Sequence, residues 1–258
     1  MTASPAYADT SKATANAAIL NLLNSKLLSS GTFSASNDGS GQTTSGDSKP
    51  ALSLLGMQTT ISVGVLVQKA EAFKDGSSVA CSGLVGNGAV VQIGPDGSCA
   101  TTGSAPSGGV TINLPGIAVI KADSIMEQAN AKSDGTVTAK GTVLNGTVQL
   151  FNGKTMTIGM SPAAGDGINL ADLGKVVLNK QTKMPDGSIK ASAFVISLIG
   201  DPVADAAVGT VTAGPNAAAA PVPIVPLAGI PIAAVILGFI AYRAWWVPKR
   251  RRRVVPTA

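Results

Sequence analysis

Asp-Gly recurs six times in this chain, at 38–39, 75–76, 96–97, 134–135, 166–167 and 186–187, and takes up half of the twelve aspartates. Five of the six pairs are followed by Ser or Thr. Asp-Gly suits the positive-φ positions of a type I′ turn, whose twist matches that of two flanking strands. Asn145-Gly146 and Asn152-Gly153 add two signals of the same kind. Between them lie short runs rich in Val, Thr and Ile at 61–67, 110–114, 136–144, 147–151, 155–158, 176–179 and 188–198. Such strands, with turn chemistry between them, predict an antiparallel all-β domain. Three stretches repeat one plan: QKAEAFKDGSSVACSG, EQANAKSDGTVTAKGT and NKQTKMPDGSIKASAF. Each is a polar strand, an Asp-Gly turn and a strand of small residues. The repeat is irregular, which favours an antiparallel β-sandwich over a solenoid. Residues 11–28 read as a first strand, and 34–49 as a polar, Gly-rich loop. With only 3% aromatic residues, the core must rest on Val, Ile, Leu and Ala.

The positive charge is confined to one end. All five arginines, Arg243 and Arg250, Arg251, Arg252 and Arg253, lie there with Lys249, and the net charge is +5. Residues 1–242 hold thirteen lysines against fourteen acids. No basic patch interleaved with aromatics exists outside the tail, so nucleic acid is not an expected partner. Residues 224–242 (IVPLAGIPIAAVILGFIAY) are nineteen uncharged positions, about 28 Å as a helix, close to the hydrocarbon thickness of a bilayer. Tyr242, Trp245 and Trp246 follow, where amphipathic rings prefer the headgroup level. The basic cluster then stays on the cytoplasmic side, and Arg243 can snorkel outward along its stem. Pro226 and Pro231 each remove a helical hydrogen bond, which membrane helices tolerate better than soluble ones.

The N-terminal Ala6-Tyr7-Ala8 fits the small-x-small pattern of signal cleavage, without the charged and apolar regions that precede it. The expected organisation is a signal-peptide remnant at 1–9, a β-sandwich ectodomain at 10–211, a Pro/Ala linker at 212–223, a transmembrane helix at 224–247 and a basic cytoplasmic tail at 248–258. Cys81 and Cys99 are the two cysteines, and the segment between them is rich in Gly. Outside the cell, a disulfide closing this loop is the expectation.

Residues 173–182 (LGKVVLNKQT), 185–194 (PDGSIKASAF) and 205–209 (DAAVG) together resemble the closing part of the actinobacterial choice-of-anchor P family of surface proteins. The small-residue strands at 51–72 and 117–131 are similar to that family too. The resemblance covers most of residues 10–212. It implies an exported β-rich domain with an interchangeable C-terminal anchor, and no catalytic residues to transfer. Where the family has a His, this chain has Phe194 or Val195, so no role of that His carries over.

The chain contains no His, which excludes Ser-His-Asp and Cys-His catalysis and His-ligated zinc or haem. Two Cys cannot make a Cys₄ metal site. The Asp-Gly-Ser/Thr turns lack the clustered carboxylates of a calcium loop. A hydrolase could be built on Asp201 with Asp205, or on Asp166 with Asp172, yet nothing in their spacing sets two carboxylates about 5 to 10 Å apart. GLVGNG at 83–88 is not the dinucleotide pattern and lies in a β context. Asn145-Gly146-Thr147 is a glycosylation sequon that reads better as turn chemistry. The expectation is therefore a membrane-anchored, non-catalytic display domain, with no cofactor and no metal. Its partners would be the lipid bilayer and an envelope or host-surface component. The alternative is a module binding an envelope polymer or small ligand.

Overall fold

The computed structural model describes residues 10–215, apart from 23–24, 40, 51–60, 87, 103–108, 115, 171–173 and 199–204. The chain divides into a unit spanning Met1–Ala220 and one spanning Pro221–Ala258. The second unit, with the expected span at 224–247 and tail at 248–258, lies outside the described residues, as does the expected signal remnant at 1–9. Among the described residues every regular element is a strand, and every pairing is antiparallel.

In chain order the strands are β1 (Ser11–Leu22), β2 (Ser25–Ser29), β3 (Phe33–Asn37), β4 (Thr43–Pro50), β5 (Ile61–Val63), β6 (Val65–Ala72), β7 (Ser78–Val85), β8 (Val90–Ile93), β9 (Cys99–Thr102) and β10 (Val110–Leu114). They continue with β11 (Ala118–Ala122), β12 (Ser124–Ala131), β13 (Val137–Leu144), β14 (Gly146–Leu150), β15 (Thr155–Ile158), β16 (Gly167–Asn169), β17 (Gly174–Lys183), β18 (Ile189–Leu198) and β19 (Asp205–Ala213). A seven-stranded sheet runs β16-β17-β18-β19-β1-β2, with β3 also on β1. A first five-stranded sheet runs β13-β12-β7-β6-β4 and a second runs β15-β14-β11-β10-β5. β8 and β9 form a separate hairpin.

The two five-stranded sheets share strands that bend at one level. Chain passes between them at Gly64 (β5 to β6), Asp123 (β11 to β12) and Asn145 (β13 to β14). Asn145 Nδ2 donates to Asp123 Oδ2 at 2.6 Å across this corner. Asn145 holds φ 52, which Asn adopts more readily than most residues because its short side chain bonds locally. Gly146 follows because a Cβ there would lie 2.5 Å from Val143 Cγ1. The Asn145-Gly146 signal therefore marks a bend within a strand, where a hairpin turn was expected. The run at 61–67 is likewise broken, at Gly64.

The core follows the pleat. Leu66, Leu84, Ile125 and Val143 from the first five-stranded sheet join Ile112 and Ile120 from the second and Leu178, Phe194 and Val208 from the seven-stranded sheet. A separate, alanine-built cluster contains Ala70, Ala80, Ala129, Ala191 and Val211. The three repeated stretches supply Ala70, Ala72, Ala80, Ala129, Ala131, Ile189 and Ala191 of it, and each stretch is a hairpin: β6–β7, β12–β13 and β17–β18.

Two further expectations are corrected. Residues 34–49 are not a loop: β3 pairs with β1, and β4 pairs with β6 over its whole length. A backbone ladder needs no apolar side chain, and a polar edge strand also resists pairing with other chains. The Asp-Gly turns are not type I′ either, because only the glycine takes positive φ: 82° at Gly76, 76° at Gly97, 84° at Gly135 and 87° at Gly187. Each hairpin turns through three residues. At the β6–β7 turn, Gly76 N–H donates to Phe73 O at 3.2 Å and Phe73 N–H to Ser77 O at 2.9 Å. This is a turn followed by a left-handed glycine, the next commonest hairpin connection.

Candidate functional site

Four hairpin aspartates are used by their own turns. Ser77, Ser98 and Ser188 each donate Oγ–H to Asp75, Asp96 and Asp186 respectively at 2.6 Å, and their N–H groups at 2.9 to 3.0 Å. Thr136 N–H donates to Asp134 at 2.8 Å. Those hydrogen bonds to the charged form hold all four carboxyls below the usual range, with the serine hydroxyls dominant at Asp75, Asp96 and Asp186 and the Thr136 N–H at Asp134. Such carboxylates are turn fasteners. Asp166 accepts from Ala163 N–H at 2.9 Å in a different turn, and Asp172 and Asp201 lie outside the described residues. Among the described residues no three His, Cys, Asp or Glu side chains gather to hold a metal ion.

Cys81 and Cys99 form the disulfide, 18 residues apart in sequence. Cys81 sits on the outward face of β7 and is fully buried, among Val65, Val67, Val79 and Met126. The β8–β9 hairpin covers that face. Gln128 clamps it, accepting from Cys99 N–H at 3.1 Å and donating to Gly97 O at 2.8 Å. The GLVGNG segment belongs to the same region. Gly83 stands in β7, where a Cβ would come within 2.0 Å of Ile125 O. Its glycine is a packing requirement, and the next described element is strand β8, where a phosphate cradle needs a helix.

The outer face of the seven-stranded sheet carries a cavity of about 370 Å³, lined by Lys180, Lys190, Thr182, Ser192, Thr210 and apolar residues including Val195. In register, Lys180 stands opposite Ser192 and Thr182 opposite Lys190, so the two exposed lysines are diagonal neighbours on one face. Diagonal pairs lie about 7–8 Å apart, within reach of long side chains. Ser192 and Thr210 share a hydroxyl hydrogen bond of 2.9 Å. Among the described residues no carboxylate lines this cavity.

A polar row crosses the middle of the inter-sheet core. Gln68, Ser82, Glu127 and Gly141 stand directly opposite one another on β6, β7, β12 and β13. They face a level of the seven-stranded sheet where the ladder is interrupted, at Ala17, Gly209, Ala193 and Asn179. Gln68 Oε1 accepts from Ala17 N–H and from Ser30 Oγ, each at 2.8 Å. A Cβ on Gly209 would sit 2.9 Å from Ser82 O, and one on Gly141 would sit 3.0 Å from Asn179 Cβ. Glu127 is 0% exposed, and neither carboxylate oxygen has a hydrogen-bond partner among the described residues. Burial pushes its carboxyl up to about 8. Sequence reading missed this residue because it sits in a stretch that looks polar throughout. Its alternation with Ile125, Ala129 and Ala131, all inward and buried, is the signal that locates it.

The membrane-interface residues Tyr242, Arg243, Trp245, Trp246, Lys249, Arg250, Arg251, Arg252 and Arg253 lie outside the described residues. Within the described residues no helix is long and apolar enough to cross a membrane. Compared with known protein families, curated proteins and solved structures, the chain matches none.

Proposed function

We propose that this chain is a single-pass surface protein that displays a non-catalytic β-sandwich outside the cell through a C-terminal transmembrane helix. The observation that carries this reading is the order of residues at one end: nineteen uncharged positions ending at Tyr242, then Trp245 and Trp246, then five consecutive cations at 249–253. Such an order fixes orientation, because a basic cluster resists translocation. Three further features support it. The Cys81–Cys99 bridge belongs to an oxidising compartment. The turn aspartates spend their charge on their own hairpins. The resemblance to the choice-of-anchor P family implies the same exported, anchored layout. Protease treatment of intact cells tests the topology. Release of a fragment of roughly 200 residues, the size of one single-core domain, is the expected result, and full protection overturns it.

A second reading, an envelope-polymer binding module, rests on the lysine and hydroxyl face of the seven-stranded sheet. Two unpaired ammonium groups beside Thr182, Ser192 and Thr210 suit a chain that alternates phosphate and hydroxyl groups, by charge-assisted hydrogen bonding. A polyol phosphate oligomer titrated onto the full chain should bind at low salt and weaken as salt rises. Replacing both Lys180 and Lys190 by Ala should abolish that binding, and unchanged affinity rejects the site.

A further inference from the structure

Where the first five-stranded sheet meets the seven-stranded sheet, one row of the core differs from all others. Gln68 has a reason to be there, since it satisfies the N–H of Ala17. Gly141 also has one: a Cβ at that position would lie 3.1 Å from Glu127 Oε2, so the glycine leaves room for the carboxyl. Glu127 itself, at 0% exposure, has no partner on either oxygen among the described residues. An ionised carboxylate in that position would be costly, so the group is held neutral.

Among the described residues no charged group stands beside it; the other charged residue of its row is Asp47 on β4, opposite Gln68 and three strands away from β12. β7 contributes Ser82 and β13 contributes Gly141. β17 contributes Asn179, whose amide donates to Pro162 O at 3.0 Å. β18 and β19 pack across β12 and bring Ala193 and Gly209 to this level. The nearest charged residues in sequence and register, Lys69, Glu71, Lys140 and Lys180, alternate with inward positions and lie on the outward faces of their strands. Lys69 and Glu71 are paired there at 3.1 Å.

We propose that Glu127 is a proton-operated latch between the two sheets: neutral, it lets them close over it, and ionised, it parts them along this row. The path to water is short, because Gly141 is on β13, an edge strand of its sheet. The neighbouring half of the interface is built from alanines, including Ala129, Ala131 and Ala191, each with little apolar area to hold the layers together. Opening therefore begins at the β13 edge and leaves the second five-stranded sheet closed. Since burial places the carboxyl at about 8, the latch releases under mildly alkaline conditions. This inference is independent of where the chain resides and of what its outer face binds.

Hydrogen exchange of the full chain in detergent micelles, followed by mass spectrometry and corrected for the intrinsic pH dependence, tests the latch. Between about pH 5 and pH 8, protection of peptides covering β12 and β13 should fall about tenfold per pH unit and level off above the upper value, while β10 and β11 keep theirs. Glu127→Gln should retain protection of β12 and β13 throughout. The proposal is overturned if wild-type protection is flat across this range, or if the variant loses protection as the wild type does. Infrared spectroscopy of the wild type gives a measurement that needs no variant. A protonated carboxylic C=O band from a water-excluded site should be present at pH 6.5 and vanish by pH 9.5. Its absence at pH 6.5 overturns the latch.

Discussion

Asp75, Asp96, Asp134 and Asp186 hold their charge at hairpin ends, where a Ser or Thr two residues on donates to each of them. Glu127 lies between two sheets with no donor among the described residues. The two groups of carboxylates therefore bend the pH dependence of the fold in opposite directions. At the turns the native state favours the charged form, so their contribution is present above the ordinary carboxylate range and is lost as pH falls. In the core the native state favours the neutral form. That contribution is complete below the unfolded value of 4.5 and is lost as pH rises through about 8. Solvent contact and local donors make an acid permanent, whereas packing against a facing sheet makes it conditional.

The largest effect expected from this contrast is at Glu127. A carboxyl raised from 4.5 to about 8 takes up to about 5 kcal/mol from stability once pH exceeds the upper value. Glu127→Gln should recover most of that, less about 1–3 kcal/mol for an amide left without partners. Denaturant unfolding followed by circular dichroism should show the variant more stable at pH 8.5 and, by that amide cost, less stable than wild type near pH 4.5. A gain of equal size at both values would mean that packing, not charge, is what the substitution changes.

Next in size is the disulfide. Closing a loop of 18 residues stabilises by about 3 kcal/mol in the chain-entropy model. Replacing Cys81 and Cys99 together by Ala should remove that amount. Cys81 occupies the outward face of β7, opposite to the face that meets Glu127. The loss should therefore be the same at pH 5 and pH 8.5, shifting the stability curve without changing its slope. A changed alkaline slope would show that the two faces of this sheet are coupled.

The smallest effect belongs to the turns. Ser188→Ala deletes the hydroxyl that dominates the shift at Asp186. The acid limb of the stability curve should become shallower, and the alkaline limb should not move. Following the Asp186 carboxyl by NMR titration should show its pKa rising toward the ordinary value. An unmoved pKa would leave the backbone N–H of Ser188, at 2.9 Å, as the sufficient partner.

Much of the strand pattern is legible in local chemistry. Val110–Leu114 reads as a strand from its alternation, and alternates buried and half-buried in the fold. The repeated Asp-Gly-Ser/Thr units read as hairpins because a left-handed glycine and an adjacent carboxylate act within five residues. The class of turn was misread because Asp keeps negative φ once Ser or Thr supplies it with donors. Residues 34–49 were misread because β3 and β4 depend on partners 15 to 29 positions away for their ladders. Asn145 was misread because a bend inside a strand and a hairpin ask the same left-handed backbone of Asn.

By itself, the order of residues determined an all-β chain, the places where it reverses, the two cysteines that could join and an uneven end where apolar residues meet arginines. These depend on neighbours a few positions apart, or on counts. Only the tertiary structure decided that Gln68, Ser82, Glu127 and Gly141 form one row, that this row faces an interrupted ladder, and that Lys180 and Lys190 line one cavity with no carboxylate among its described lining residues. Cross-strand register joins residues from four or more segments of the chain. The environment of a carboxyl is set by what the opposite sheet places against it, which no local pattern carries.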